Sequence, residues 1–145
     1  MRKPLLAALA LLASLSSALA QTPPPVEAPA SELTVELNAL QDAQGNCRVT
    51  FLATNGFDVS LQRASLETAF FDASGTIDRI VTLDFEELSP GKTKVLQFQL
   101  AGLDCTRVGR VLINDITACE GEGLAPGACL AALVTTARPD ITFGA

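Results

Sequence analysis

The stretch Cys47-Arg48-Val49-Thr50-Phe51-Leu52-Ala53-Thr54-Asn55-Gly56 decides how this chain is read. Cys47, Val49, Phe51 and Ala53 alternate with Arg48, Thr50 and Leu52, the two-residue period of a strand that buries one face. β-Branched and aromatic side chains pack well on a pleated surface, which strengthens the reading. Asn55-Gly56 then ends the run with a strong turn dipeptide.

The same grammar repeats on both sides. Upstream, Leu33, Val35 and Leu37 alternate with Thr34 and Glu36, and residues 41–46 form a turn in which Gly45 can take a positive φ. Downstream, Val59 and Leu61 make a short third element. Residues 66–71 make a fourth, ended by Asp72-Ala73-Ser74-Gly75, and residues 77–85 a fifth, ended by Ser89-Pro90-Gly91. A sixth covers 94–100, with Leu96, Phe98 and Leu100 on one face and Gln97 and Gln99 on the other. Residues 108–118 and 130–137 give a seventh and an eighth, and the tail Asp140-Ile141-Thr142-Phe143 can add an edge strand or dock on a sheet. Short strands with a turn signal every ~8–12 residues predict an all-β, immunoglobulin-like antiparallel β-sandwich of about seven or eight strands over 33–145. No stretch after residue 20 carries a capped 3.6-residue period.

The first twenty residues follow different rules. Arg2 and Lys3 precede a run of Leu and Ala from Leu5 to Leu15, broken only by Ser14, and Ser16-Ser17 lead into Ala18-Leu19-Ala20. This is the pattern of a helical, cleavable signal peptide over 1–20, with cleavage between Ala20 and Gln21. The apolar run is about 11 residues, against about 20 for a membrane-spanning helix. No Cys follows Ala20, so no lipoprotein anchor is expected, and no membrane anchor is expected after cleavage. Residues 21–32 begin QTPPPVEAPA and read as a disordered or semi-rigid spacer in extended polyproline geometry. The expected location is the periplasm or the medium.

Composition narrows the function. The chain of 145 residues has 10 basic and 16 acidic side chains, and loss of Arg2 and Lys3 leaves 8 against 16. An acidic surface repels phosphate backbones and argues against nucleic acid or anionic membrane as partner. There is no His, Trp or Tyr, and the only Met is Met1. Without His, no Ser-His or Cys-His nucleophile pair can form, so Ser65, Ser74 and Ser89 have no base. Zinc and copper sites lean on His, Cys and Met, and none is expected, nor any other cofactor. Aromatic platforms for sugars or bases are missing too.

Cys47, Cys105, Cys119 and Cys129 are an even set in a chain expected to be exported, which reads as two disulfides. Four cysteines allow three connectivities. In an immunoglobulin-like order, the strand opened by Cys47 and the strand that follows Cys105 run the same way in opposite sheets, so both cysteines lie at one end. Cys119 and Cys129 then lie at the other. A strand of eight residues is about 26 Å long, while bridged Cα atoms sit within about 7 Å. Cys47–Cys105 and Cys119–Cys129 follow.

Other constellations have plain readings. Asp72-Ala73-Ser74-Gly75-Thr76-Ile77-Asp78 and Asp42-Ala43-Gln44-Gly45-Asn46 space oxygens as calcium loops do, but both sit between strands and lack a closing Glu. Asp84, Glu86 and Glu87 could serve a carboxylate hydrolase if two stood about 5–10 Å apart in a cleft. Asn114 and Asp115 interrupt an apolar strand, so one is expected to point inward or to the edge. A buried Asp115 would need Arg110 or Arg48 as partner, and Asp115–Arg110 is the expected pair. Residues 120–128 (EGEGLAPGA) form an acidic, Gly-rich loop between two cysteines, expected to be ordered at its ends and free in the middle.

The run Glu87-Leu88-Ser89-Pro90-Gly91-Lys92-Thr93, followed by Val95-Leu96-Gln97-Phe98, resembles the L-x-P-G-x turn and strand of fibronectin type III and bacterial immunoglobulin-like domains. The core Trp and tyrosine corner of those families are missing. The wider pattern resembles small exported proteins of Gram-negative bacteria. The function expected is a non-enzymatic binding or accessory module that engages another periplasmic or envelope protein through a sheet edge or the 119–129 loop. A structural subunit of an envelope or surface assembly is the alternative.

Overall fold

The computed structural model describes residues 31–145. The signal peptide over 1–20, its cleavage site at Ala20–Gln21 and the spacer up to residue 30 lie outside the described residues.

Among the described residues, eight strands form two four-stranded sheets: β1 (Leu33–Asp42), β2 (Asn46–Asn55), β3 (Leu61–Asp72), β4 (Ile77–Leu88), β5 (Thr93–Ala101), β6 (Val108–Gly121), β7 (Leu133–Ala137) and β8 (Thr142–Gly144). One sheet has the order β5-β2-β1-β7, the other β4-β3-β6-β8. A short 3-10 turn (Cys105–Arg107) precedes β6, and a single helical turn, α1 (Ala128–Ala131), precedes β7.

The inward side chains are those the alternation nominates. Leu33, Val35 and Leu37 from β1 and Cys47, Val49, Phe51 and Ala53 from β2 are at most 1% exposed, and they meet Leu66, Phe70, Leu83, Phe85 and Val111 of the other sheet. Cys47 bridges Cys105 with Cα atoms 5.0 Å apart, and Cys119 bridges Cys129 at 6.0 Å.

Several expectations need correction. The sandwich is not wholly antiparallel: β7 runs parallel to β1 and β8 parallel to β6. The chain leaves β6, crosses to the far edge of the first sheet as β7, and returns as β8 to the edge of the second. This excursion closes one side of the sandwich. The expected third and fourth strands are one strand, β3, carried through residues 62–65 by irregularities in its pairing with β4 and β6. The strand expected over 130–137 is β7 and begins only at Leu133, because residues 128–131 wind into α1, which places Cys129 in the core.

Asn55 does more than end β2. It is fully buried; its Nδ2 donates to the carbonyls of Val59 (2.9 Å) and Leu88 (2.8 Å), and its Oδ1 accepts from the Phe57 amide (2.9 Å). Its own carbonyl accepts from the Gly91 amide at 2.7 Å. One side chain therefore ties the β2–β3 loop to the end of β4. The next residue has to be Gly, because a Cβ there would lie 2.6 Å from the Glu32 carbonyl oxygen.

Asn55→Ala strands two buried carbonyls and one amide, and should lower the unfolding free energy by about 3 kcal/mol in denaturant titration. The disulfides close loops of 58 and 10 residues. Loop entropy then sets the cost of removing the first pair (Cys→Ala at both positions) at about 4 kcal/mol and the second at about 3 kcal/mol. Non-reducing peptide maps should yield bridged 47–105 and 119–129 fragments, and a 47–129 fragment would contradict the pairing.

Candidate protein-binding edge

The polar residues singled out in the sequence do not converge. Asp115 and Arg110 are both exposed and do not pair, which corrects the expectation of a buried ion pair. The reason is a β-bulge: Glu67 pairs with Asp115 but Thr68 with Ile113, so Asn114 is an extra residue and the alternation breaks. Asn114 and Asp115 then both face solvent. Asn114 Nδ2 donates to Glu67, and Asp115 accepts from the Ile116 amide at 2.8 Å. Arg110 instead lies over the Phe71 ring, 5.3 Å from its centroid.

The acidic turns are self-satisfied. Asp72 Oδ1 accepts from Ser74 Oγ (2.6 Å) and from the amides of Ser74 (2.9 Å) and Thr76 (3.0 Å). The Ser74 hydroxyl and the Thr76 amide, helped by Arg107, hold its carboxyl below the ordinary 3.8. Asp104 is held below 3.8 in the same way by the Thr106 hydroxyl and amide. In the Asp42–Asn46 turn, the Ala43 amide donates to the Asn46 carbonyl at 2.8 Å, with Gln44 and Gly45 at positive φ. Among the described residues no group of three His, Cys, Asp or Glu side chains gathers as metal ligands do.

Asp84, Glu86 and Glu87 line the exposed outer strand of the second sheet, each with its own partner: Arg63 at 3.6 Å, Lys94 at 2.8 Å and the Ser60 hydroxyl at 3.1 Å. The most enclosed recess, between Phe71, Asp78, Leu103 and Val108, holds about 60 Å³, while the larger ones, about 480 Å³ beside Glu86, Lys92 and Lys94 and about 580 Å³ beside Asp42, Arg48 and Gln99, are shallow and open to solvent. Small-molecule sites usually run to about 300–1,000 Å³. The 120–128 loop is not free in its middle: Leu124 packs on the core, and its amide donates to the Gly121 carbonyl at 3.2 Å.

The two sheets end in four outer strands, β4, β5, β7 and β8. β7 has five residues and β8 three, and short edges offer few free groups. β4 is long but guarded. Phe85 is an extra residue opposite β3, and Glu86 takes φ +58°. The Lys94 ammonium donates to the carbonyls of Phe85 (3.4 Å) and Glu87 (3.3 Å) as well as to Glu86. Charges at Asp78, Arg79, Asp84, Glu86 and Glu87 complete the guard.

β5 has no bulge, its one charge, Lys94, lies near its start, and only its last carbonyl is covered. It pairs with β2 without a break from Ala101 to Thr93. The amide and carbonyl of one strand residue point to the same side, and those of the next point to the other. Ala43 and Asn46 exchange backbone bonds, so Asn46 faces β1 and Cys47, Val49, Phe51 and Ala53 face β5. Their partners are Leu100, Phe98, Leu96 and Lys94. The backbone groups of Val95, Gln97, Gln99 and Ala101 must then point outward. Arg79 Nη1 donating to the Ala101 carbonyl at 2.6 Å fits this parity. Val95, 63% exposed, is the most open large apolar side chain among the described residues. The alternation in 94–100 was legible in the sequence; that this strand ends up at an edge was not.

The titratable groups give one prediction. Asp72 and Asp104 have folded-state values below the unfolded one, so their contribution to stability is present above pH 3.8 and lost as pH falls through the depressed values. The double variant Asp72→Asn with Asp104→Asn should therefore show a shallower fall of Tm below about pH 4 than the unchanged protein, measured by calorimetry.

Comparison of the chain with protein-family models, with curated proteins and with solved structures returns no match.

Proposed function

We propose that this protein is an exported, non-enzymatic binding module with an immunoglobulin-like sandwich, which accepts an extended strand of another exported chain along β5. The observation that carries this reading is the unguarded β5 edge, where Val95, Gln97 and Gln99 present free backbone donors and acceptors in an exposed, uncharged row. Such an edge recruits a partner by strand addition: main-chain hydrogen bonds supply affinity, and alternate side chains supply specificity. Two disulfides are compatible with an oxidising, extracytoplasmic compartment, as is the signal-like start of the chain.

The test uses a photo-reactive side chain at Gln97, with a second version at Glu122 in the Cys119–Cys129 loop. Irradiation in the periplasm of an expressing bacterium should give an adduct at Gln97, with the attachment mapping to an extended segment of the captured chain. An adduct at Glu122 and none at Gln97 would move the interface to the loop and overturn the edge reading.

A further inference from the structure

The sequence of the open edge is nearly a palindrome. Around Phe98, Gln97 mirrors Gln99, Leu96 mirrors Leu100, and Val95 mirrors Ala101, so Val95-Leu96-Gln97-Phe98-Gln99-Leu100-Ala101 reads almost alike in both directions. An antiparallel partner strand reads the other way. We infer that the strand accepted along β5 is the β5 of a second copy, paired antiparallel about a two-fold axis at Phe98. This inference rests on the β5 edge being the binding surface.

Three features of the chain favour this occupant. The first is parity. Pairing about Phe98 sets Gln97 opposite the second copy's Gln99 and Val95 opposite its Ala101, and all of these residues have outward backbone groups. The two strands can then exchange amide–carbonyl bonds on both sides of the axis, and the Ala101 carbonyl has a second lone pair beside the Arg79 contact.

The second feature is charge. The whole chain carries a net charge of −6, which opposes association in general. From Val95 to Ala101, however, the strand has no charged side chain, and the acids of the second sheet's outer face (Glu67, Asp84, Asp115) lie elsewhere. Lys92 and Asp104 stand six positions to either side of Phe98, and both are exposed. Both lie in the turns that flank β5, beyond the paired residues, so the paired strands themselves meet without charge.

The third is closure. A two-fold contact is self-complementary and consumes both free edges. It would join the β5-β2-β1-β7 sheets of two copies into one continuous sheet whose outermost strands are the short β7 strands.

Sedimentation velocity of the purified protein from micromolar to millimolar concentration tests the proposal. The unchanged protein should pass from monomer to dimer. Gln97→Pro should remain monomeric and folded, because its lost amide faces outward and the backbone bonds to β2 stay, with Tm lowered only by the loss of the Gln97 Nε2–Thr50 Oγ1 hydrogen bond. Gln97→Lys with Gln99→Lys sets like charges opposite each other and should weaken the dimer at least tenfold. Gln97→Lys with Gln99→Glu sets opposite charges together and should restore it. A dimer strengthened by the double lysine variant or weakened by the Lys/Glu variant would overturn the register. A protein monomeric throughout would overturn the second copy as occupant. In that case, fast amide exchange at Val95, Gln97 and Gln99 would leave the edge reading standing, and slow exchange would remove it as well.

Discussion

Phe51 stands where both sheets and three of the four outer strands meet. Its ring lies 5.6 Å from Phe85 of β4, 6.1 Å from Phe98 of β5 and 5.9 Å from Phe143 of β8, and only 1% of it is exposed. Tilted and edge-on rings at these distances add attraction to the area they bury. The arrangement has a structural consequence. A sandwich of two four-stranded sheets is open along both sides, and each side needs an apolar plug. Phe85 and Phe98, 5.5 Å apart, plug the β4/β5 side, while Phe143 plugs the other. With no Trp or Tyr in the chain, Phe carries this load alone.

Polar ties then finish what the aromatic cluster begins. Asn55 fastens the end of β2 to the loop before β3 and to the end of β4. Lys94 and Arg79 span the β4/β5 side at its two ends by donating to carbonyls of the neighbouring strand. These long side chains satisfy backbone oxygens that an edge would otherwise leave to solvent. They also divide the two edges on that side unequally: β4 gives up two carbonyls to Lys94 and carries a bulge, whereas β5 is met only at Ala101. The middle of β5 is left with its outward backbone groups uncovered.

The polar side chains follow a different pattern. The acidic groups are dispersed among turns and strand ends, and those with depressed values owe them to hydroxyls and amides of their own turns, as Asp72 and Asp104 do. Such groups shape turns and keep the surface charged. The backbone groups beside Val95 and the two glutamines are different in kind, because they are exposed in a regular row with the spacing of a strand.

Much of this was determined by the sequence alone. Period-two alternation marked β1, β2 and β5, since a half-buried strand must place apolar groups at every second residue. Turn chemistry marked the breaks at Gly45, Gly75 and Gly91. The cysteine pairing was legible because strand length separates the two ends of a sandwich by more than a disulfide can span. Tertiary structure decided the rest. Bulges at Asn114 and Phe85 reset the alternation within single strands, so residues 114 and 115 could not be assigned to faces from spacing. The crossing of β7 to the far sheet, and its parallel pairing with β1, depend on which edge is vacant once six other strands have packed. Asn55 reads as a turn residue by itself and becomes a buried junction only when Leu88 arrives from a distant part of the chain. An edge, too, is a property of the assembled sheet: nothing within residues 93–101 records that one side of the strand meets β2 and the other meets nothing.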